Sequence, residues 1–349
     1  MPEILLPYTN VDVTEEVNRI PNNYGYLNAL DISPSEPVGS RLVRIDYRDG
    51  QIVVLAAEEP GSPGQLTEQD NVGGTILQIP HFPHLETITP EDLAGIVEVV
   101  NGVLQARNLD AELAKRLSRI RKNHSITLEY IRMGSMRGLI KDGRGRTLYD
   151  LYSVFGITKK VIDLKLGTAD TDMVEKFEEI GDHIQTNLKG ETMSGVEALI
   201  SPTMFNRFIQ HPKVEKFWIQ TEQAPGLQKF LRADLGGNWG RIFDFGDIRV
   251  REYKGSFPVR STSGQLTSEP IIEAGKGHAY PAGTQEMSKT FQGPVHHIDM
   301  VNVAPDASDP IYVSTEVLKH GAGVEVKSQT NRLSVWKQPE CLVELMSSD

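Results

Sequence analysis

The chain has 349 residues, 39% of them hydrophobic and 24% charged, with a formal net charge of −11. That length supports more than one core, the composition is that of an ordinary soluble protein, and no apolar run approaches the roughly 20 residues of a membrane span. A single cysteine, Cys341 in the apolar run CLVELM, excludes intramolecular disulfides and a cysteine-based zinc site.

Cys341 therefore reads as a core residue, and a reducing cytoplasm fits best. The acidic start MPEILLPYTNVDVTEEV has no basic region of the kind a secretory signal carries. The charge is unevenly placed. Residues 1–114 hold 18 acids, 5 arginines and no lysine, a net of −13, whereas residues 107–146 hold 11 cations against 4 acids, a net of +7. Segments of opposite sign point to contact between them, within one molecule or between copies.

In chain order, residues 1–37 contain PNNYGYLNALDISPSEP, rich in turn formers, and read as an arm that needs a surface to lie on. RLVRIDYRDGQIVVLAA reads as a hairpin with a tight turn at Asp49-Gly50. The following EEPGSPGQLTEQDNVGGTILQIPHFPHL reads as loop. TPEDLAGIVEVVNGVLQA predicts a helix, with Thr89 as cap, Pro90 at the first helical position, and Glu91 and Asp92 at the positive end of the dipole. A longer helix is predicted from about Asn108 to Leu139, where Leu109, Leu113, Leu117, Ile120, Leu128 and Ile131 recur at helical spacing.

MRGLIKDGRGRTLYD follows, with three glycines and the cations Arg137, Lys141, Arg144 and Arg146. A phosphate loop needs a preceding strand, a glycine spacing that is absent here, and a following helix; the flanks predict instead a helix that stops at glycines and turns into a strand. TLYDLYSVFGI and KKVIDLKLG read as paired strands, and DTDMVEKFEEIGDHIQTNL as an amphipathic helix. GVEALIS reads as a buried strand, SPTMFNRFIQHPKVEKFW as a helix capped by Ser201, and FGDIRVREYKG and PIIEAGKGHAYPAG as further strands. VEVKSQTNRLSVW and CLVELM are strands of the tail.

His296, His297 and Asp299 form an H-H-x-D cluster that could supply metal ligands. The surrounding PVHHIDMVNV also alternates as a strand, which would put His296 opposite the other two. No nucleophile elbow is present. No convincing active site, and no cofactor, is expected.

The order of elements resembles the lambda-type capsid E family of tailed-phage major capsid proteins, which have the HK97-like fold. The likeness is carried by LEYIRMGSMRGLIKDGRGRTLYDLYSVFGI, VEALISPTMFNRFIQHPKV, FGDIRVREYKGSF and VKSQTNRLSVWKQPECLVEL. It implies an α+β chain with an N-terminal arm (1–37) and an extended E-loop (38–88). A peripheral domain (89–191) would contain a spine helix at about 108–140, followed by an axial domain (192–325) and closing C-terminal strands (326–349).

It further implies a non-enzymatic subunit that assembles with itself into hexamers and pentamers of an icosahedral shell around double-stranded DNA. Portal and scaffold proteins are then partners, a decoration protein is an optional one, and no membrane is involved. Assembly is expected in the host cytoplasm and the final location is the virion. The alternatives are an encapsulin-like nanocompartment shell or a metal-dependent enzyme built on the histidines. Candidate intersubunit contacts are the acidic Asp46, Asp49, Glu58, Glu59, Glu68 and Asp70 against the basic Arg116, Arg119, Lys122, Arg137, Arg144 and Arg146. Some HK97-fold shells also weld an E-loop lysine to a neighbour's asparagine, a chemistry that needs an amine this chain lacks before Lys115.

Overall fold

The computed structural model describes residues 10–19, 25–48, 72–93, 97–100, 103–106, 109–222, 240–260, 264–284, 286–300, 303, 305 and 310–349. The arm region is more regular than its turn formers suggested. It forms helix α1 (Asn10–Arg19), with Val13 and Val17 buried one turn apart, then α2 (Tyr26–Leu30) and strand β1 (Ser35–Pro37). Strand β2 (Leu42–Arg48) pairs with β3 (Val72–Gln78). The Asp49-Gly50 turn and the return strand read at 51–57 lie outside the described residues.

The second half of the stretch read as loop is extended: β3 is followed by β4 (His81–Ile88). Proline had argued against strands there, but among the described residues β4 pairs only with β18, and Gln329, opposite Pro83, turns its backbone groups towards β17, so Pro83 forfeits no ladder bond. The helix read from Thr89 stops after one turn, α3 (Pro90–Leu93), and β5 (Val97–Val100) and β6 (Val103–Ala106) form an antiparallel pair. Four β-branched valines and an Asn-Gly dipeptide between the strands outweigh the helix-start signal.

The long helix α4 spans Leu109–Arg137, with Leu113, Leu117, Ile120, Leu128 and Ile131 buried. Gly138 ends it at φ +76°, and a Cβ there would lie 2.1 Å from the Tyr152 ring. The chain then makes a hairpin, β7 (Leu139–Lys141) with β8 (Thr147–Asp150), and the supposed second half of a strand is helix α5 (Leu151–Phe155). Asp150 accounts for the change, because its carboxylate accepts the N–H groups of Tyr152 and Ser153 and so starts a helix. Strand β9 (Lys160–Asp163) consequently pairs elsewhere, and α6 (Met173–Thr186) is capped by Asp172.

After β10 (Gly195–Ile200), Ser201 caps α7 (Pro202–Ile209) as expected, but a second helix, α8 (Pro212–Glu222), starts at Pro212. Proline has no N–H to continue α7 and suits a helix start instead. The remainder is β11 (Ile242–Phe245), β12 (Ile248–Glu252), β13 (Ser256–Arg260), β14 (Leu266–Pro270), β15 (Lys276–Ala282) and β16 (Ser288–Gln292), then β17 (Tyr312–Val317), β18 (Val324–Trp336) and β19 (Val343–Met346). Between β16 and β17, Ile298–Met300 form a 3₁₀ turn rather than the alternating strand read around the histidines.

The chain divides into two compact units. In one (residues 1–43, 77–132 and 290–334), the sheet β1-β16-β18-β17 is joined by β4 on β18. Its core includes Val13, Val17, Ile88, Leu117, Ile120, Val313 and Val326. In the other (residues 44–76, 133–289 and 335–349), a six-stranded mixed sheet runs β11-β12-β10-β15-β19-β9. There α6 and α7 bury Phe177, Phe205 and Phe208 with Phe243 and Phe245, the Phe177 and Phe208 rings stacking at 5.3 Å. The architecture is α+β.

Candidate assembly surface

The basic helix α4 carries the charged groups the sequence singled out, and several are committed within the chain. Arg116 is largely buried and meets three carboxylates: Glu86 on β4 at 3.0 Å, Asp92 at 3.3 Å and Glu112 at 3.1 Å. Arg119 reaches the same Glu86 oxygen at 3.4 Å. Asp92 in turn accepts both the N–H and the hydroxyl of Thr89, which with the Arg116 charge holds its carboxyl below the usual range. Part of the expected attraction between the acidic early segment and the basic helix is thus satisfied inside one molecule, by Glu86 and Asp92. No local sequence signal pairs Glu86 with Arg116, because the pairing depends on β4 lying in register against β18.

Arg137 bonds Pro270 O at 3.4 Å and pairs with Glu269 at 3.6 Å. In the β7–β8 hairpin, Asp142 organises the glycine loop. Its Oδ1 accepts the N–H groups of Arg144 and Arg146, and its Oδ2 meets the Arg146 guanidinium at 2.8 Å. Burial alone would raise the Asp142 pKa, but the bonds from Arg146 and Arg144 lower it overall. The glycine-rich loop is therefore a carboxylate-stapled hairpin and not an anion cradle. Lys122 and the Arg144 side chain are exposed and have no ion-pair partner among the described residues. Asp46 lies in β2, and its side chain, like residues Asp49, Glu58, Glu59, Glu68 and Asp70, is outside the described set.

The enzyme-like features do not converge. His297 Nδ1 lies 3.2 Å from the Tyr312 hydroxyl, and His296 meets His81 edge-on at 6.4 Å. Among the described residues no three His, Cys, Asp or Glu side chains are arranged to hold a metal. Cys341 is buried, its thiol pushed up to about 12 by burial, with Sγ 3.1 Å from Asn187 O.

A long helix over one sheet and a mixed sheet with its own aromatic core make up an α+β fold of the HK97-like kind. The fold superposes on a chain assigned as the capsid protein of an Escherichia coli CFT073 prophage with a TM-score of 0.63 at 11% identity, covering 98% of this chain and 99% of that one. It also superposes on the SrpI encapsulin of Synechococcus elongatus PCC 7942 with a TM-score of 0.51 at 9% identity, covering 93% and 89%. The chain belongs to the phage major capsid protein E family, whose model matches residues 9–347. It is 28% identical over 352 residues to the major capsid protein of Pseudomonas phage KPP10, covering 99% of this chain and 98% of the relative.

Proposed function

We propose that this protein is the shell subunit of a tailed-phage head, self-assembling into hexamers and pentamers that close an icosahedron around double-stranded DNA. The observation that carries the reading is the end-to-end match to a phage major capsid protein, with no large insertion or missing domain on either side. The shared fold alone would fit an encapsulin shell equally well. The phage relative favours a head, and a structural rather than a catalytic role.

On this reading residues 1–37 are the arm, 38–88 the E-loop, 89–191 the peripheral domain, 192–325 the axial domain and 326–349 the closing strands. Arg116 and Arg137, whose side chains are largely buried, act mainly in holding their own subunit together, whereas Arg119 and Arg146 keep half or more of their side chains exposed and remain candidate contacts with a neighbour. Lys122 and Arg144 are left to face a neighbouring copy or the DNA, and the E-loop carboxylates Asp46, Asp49, Glu58, Glu59, Glu68 and Asp70 seek basic surface on a neighbour. Portal and scaffold proteins are the expected assembly partners, in the host cytoplasm. Expression of the full chain followed by negative-stain imaging tests the proposal. Closed shells are expected, and a chain that stays monomeric at every concentration would sink it. Particles recovered from phage-producing cells should contain DNA; a packed protein cargo would favour the nanocompartment.

A further inference from the structure

Strand β18 carries Ser328, Thr330, Arg332 and Ser334 at alternate positions, all of them buried. Helix α4 covers this face: His124 meets Ser328 Oγ at 2.9 Å, and Arg132 Nε reaches Thr290 Oγ1 on β16 at 3.4 Å. Bonds from Gly293 N–H to Asn331 O and from Lys337 N–H to Met287 O bracket the β16–β18 pair. They set Gln292 across from Arg332 and Thr290 across from Ser334.

The two arginines here are provided for very differently. Arg132 donates to Leu27 O, Ser33 O, Asn28 Oδ1 and Thr290 Oγ1, and pairs with Asp31 at 3.3 Å. Arg332 is 5% exposed, its Nε is buried without an acceptor, and no carboxylate pairs with it among the described residues. Burial, and after it the repulsive charges of Arg121 and Arg132, lower its pKa to about 9. It is thus still a cation at neutral pH.

The two carboxylates whose charges act on the neighbouring Arg132 are already used. Asp31 pairs with Arg132, and Glu129 accepts the N–H groups of Leu27 and Asn28. Around Arg332, Thr330 Oγ1, Ser334 Oγ and Gln292 Oε1 are also buried without partners. Gln292 could accept one N–H from the guanidinium, but an amide brings no charge, and a buried cation needs a counter-charge as well as hydrogen bonds.

We propose that Arg332 is the centre of a buried anion site that takes one carboxylate or comparable small oxyanion, with the Thr330 and Ser334 hydroxyls as flanking donors. The planar fork of a guanidinium matches a carboxylate in a bidentate pair. The anion is either free in solution or the acidic side chain of a second copy; only the second source rests on the shell reading.

The test uses the full chain and formate as probe. Calorimetric titration of sodium formate into unassembled protein is compared for wild type, Arg332→Lys and Arg332→Met. A free-anion site gives saturable one-to-one binding in wild type, at least tenfold weaker in Arg332→Lys and absent in Arg332→Met. A site filled by a neighbour gives no formate binding, but the yield of shells from Arg332→Met falls at least tenfold while its unassembled chain unfolds no earlier than wild type. If Arg332→Met does not fold, Arg332→Lys supplies both readouts. Formate binding unchanged by the substitutions, or no binding together with wild-type assembly, overturns the proposal.

Discussion

Glu129 and His124 show how much of the packing of α4 rests on single buried polar groups. Glu129 is 1% exposed, and its two carboxylate oxygens accept the N–H groups of Leu27 and Asn28, at 2.8 and 2.9 Å, near the start of α2. Gly25 is required beside it: φ is +93°, and a Cβ would lie 2.2 Å from Glu129 Oε2. His124 is buried and bonded to Ser328, with the His84 ring 6.4 Å away. Desolvation, then Arg332, His84 and Arg121, depress its pKa from 6.5 to about 3. The folded protein therefore holds His124 neutral, whereas an unfolded chain protonates it below its ordinary value. Its contribution to stability is complete above pH 6.5 and is lost progressively as the pH falls from there towards 3. The loss is about 1.4 kcal/mol per pH unit in that window. Urea unfolding of His124→Asn should show a shallower fall in stability between neutral pH and pH 5 than wild type, although the variant starts lower. Equal slopes would assign the acid sensitivity to other groups.

Helix α1 covers the outer edge of β17, and the way it does so is a matter of matched repeats. Asn10 accepts the Thr315 N–H at 3.0 Å; Thr14 accepts the Val313 N–H at 3.0 Å and donates to Val313 O; and Asn18 donates to Ile311 O at 3.0 Å. Four helical residues rise about 6 Å, and two strand residues advance about 6.7 Å. Side chains at every fourth helical position can therefore serve every second strand residue. An uncovered edge of this kind invites pairing with another chain, and each bond nets about 0.5–1.5 kcal/mol. In the triple variant Asn10→Ala, Thr14→Val, Asn18→Ala, the amides of Val313 and Thr315 should exchange with deuterium at least tenfold faster, while those of β18 stay protected. Unchanged exchange would mean that burial of Val13 and Val17 alone holds the edge closed. This contact was not legible in the sequence, where the arm looked like turns. Periodicity did reveal α4, α6 and β18, whose patterns are long. It misled at 97–106, where a sound helix start was followed by valines, and at Tyr149–Phe155, where Asp150 acted as a cap. The candidate cations were legible as a cluster, but their partners were not, because Glu86, Asp142 and Glu269 reach them only through strand register and turn geometry.

Across the whole molecule, the net of −13 before Lys115 finds part of its counterpart, among the described residues, on α4. Glu86 and Asp92 are paired with Arg116, and the segment from Asp46 to Asp70 carries six acids against Arg48 alone. Exposed pairs are worth only ~0–1 kcal/mol each, but they repeat at every subunit contact of a shell. The double reversal Glu58→Lys, Glu59→Lys should therefore lower assembly yield at low ionic strength, and high salt should weaken wild-type assembly too. Assembly of the double variant equal to wild type at low salt would refute the charge argument. The same absence of lysine decides how a finished shell is held together. An isopeptide weld of the kind some HK97-fold shells make needs a desolvated primary amine on the E-loop, and residues 38–88, proposed above as that loop, contain none. Arginine cannot take its place, because its guanidinium does not lose a proton under these conditions. Disulfides offer no substitute, since Cys341 is the only cysteine, is buried, and has its thiol pKa raised to about 12 by burial. A shell of this protein is accordingly expected to be noncovalent, held by surfaces that overlap rather than by bonds that form late. Mature, DNA-filled particles boiled in detergent without reductant should run as one band near 38.8 kDa, and a ladder of covalent hexamers and pentamers would show that another nucleophile, beyond residues 38–88, performs the weld.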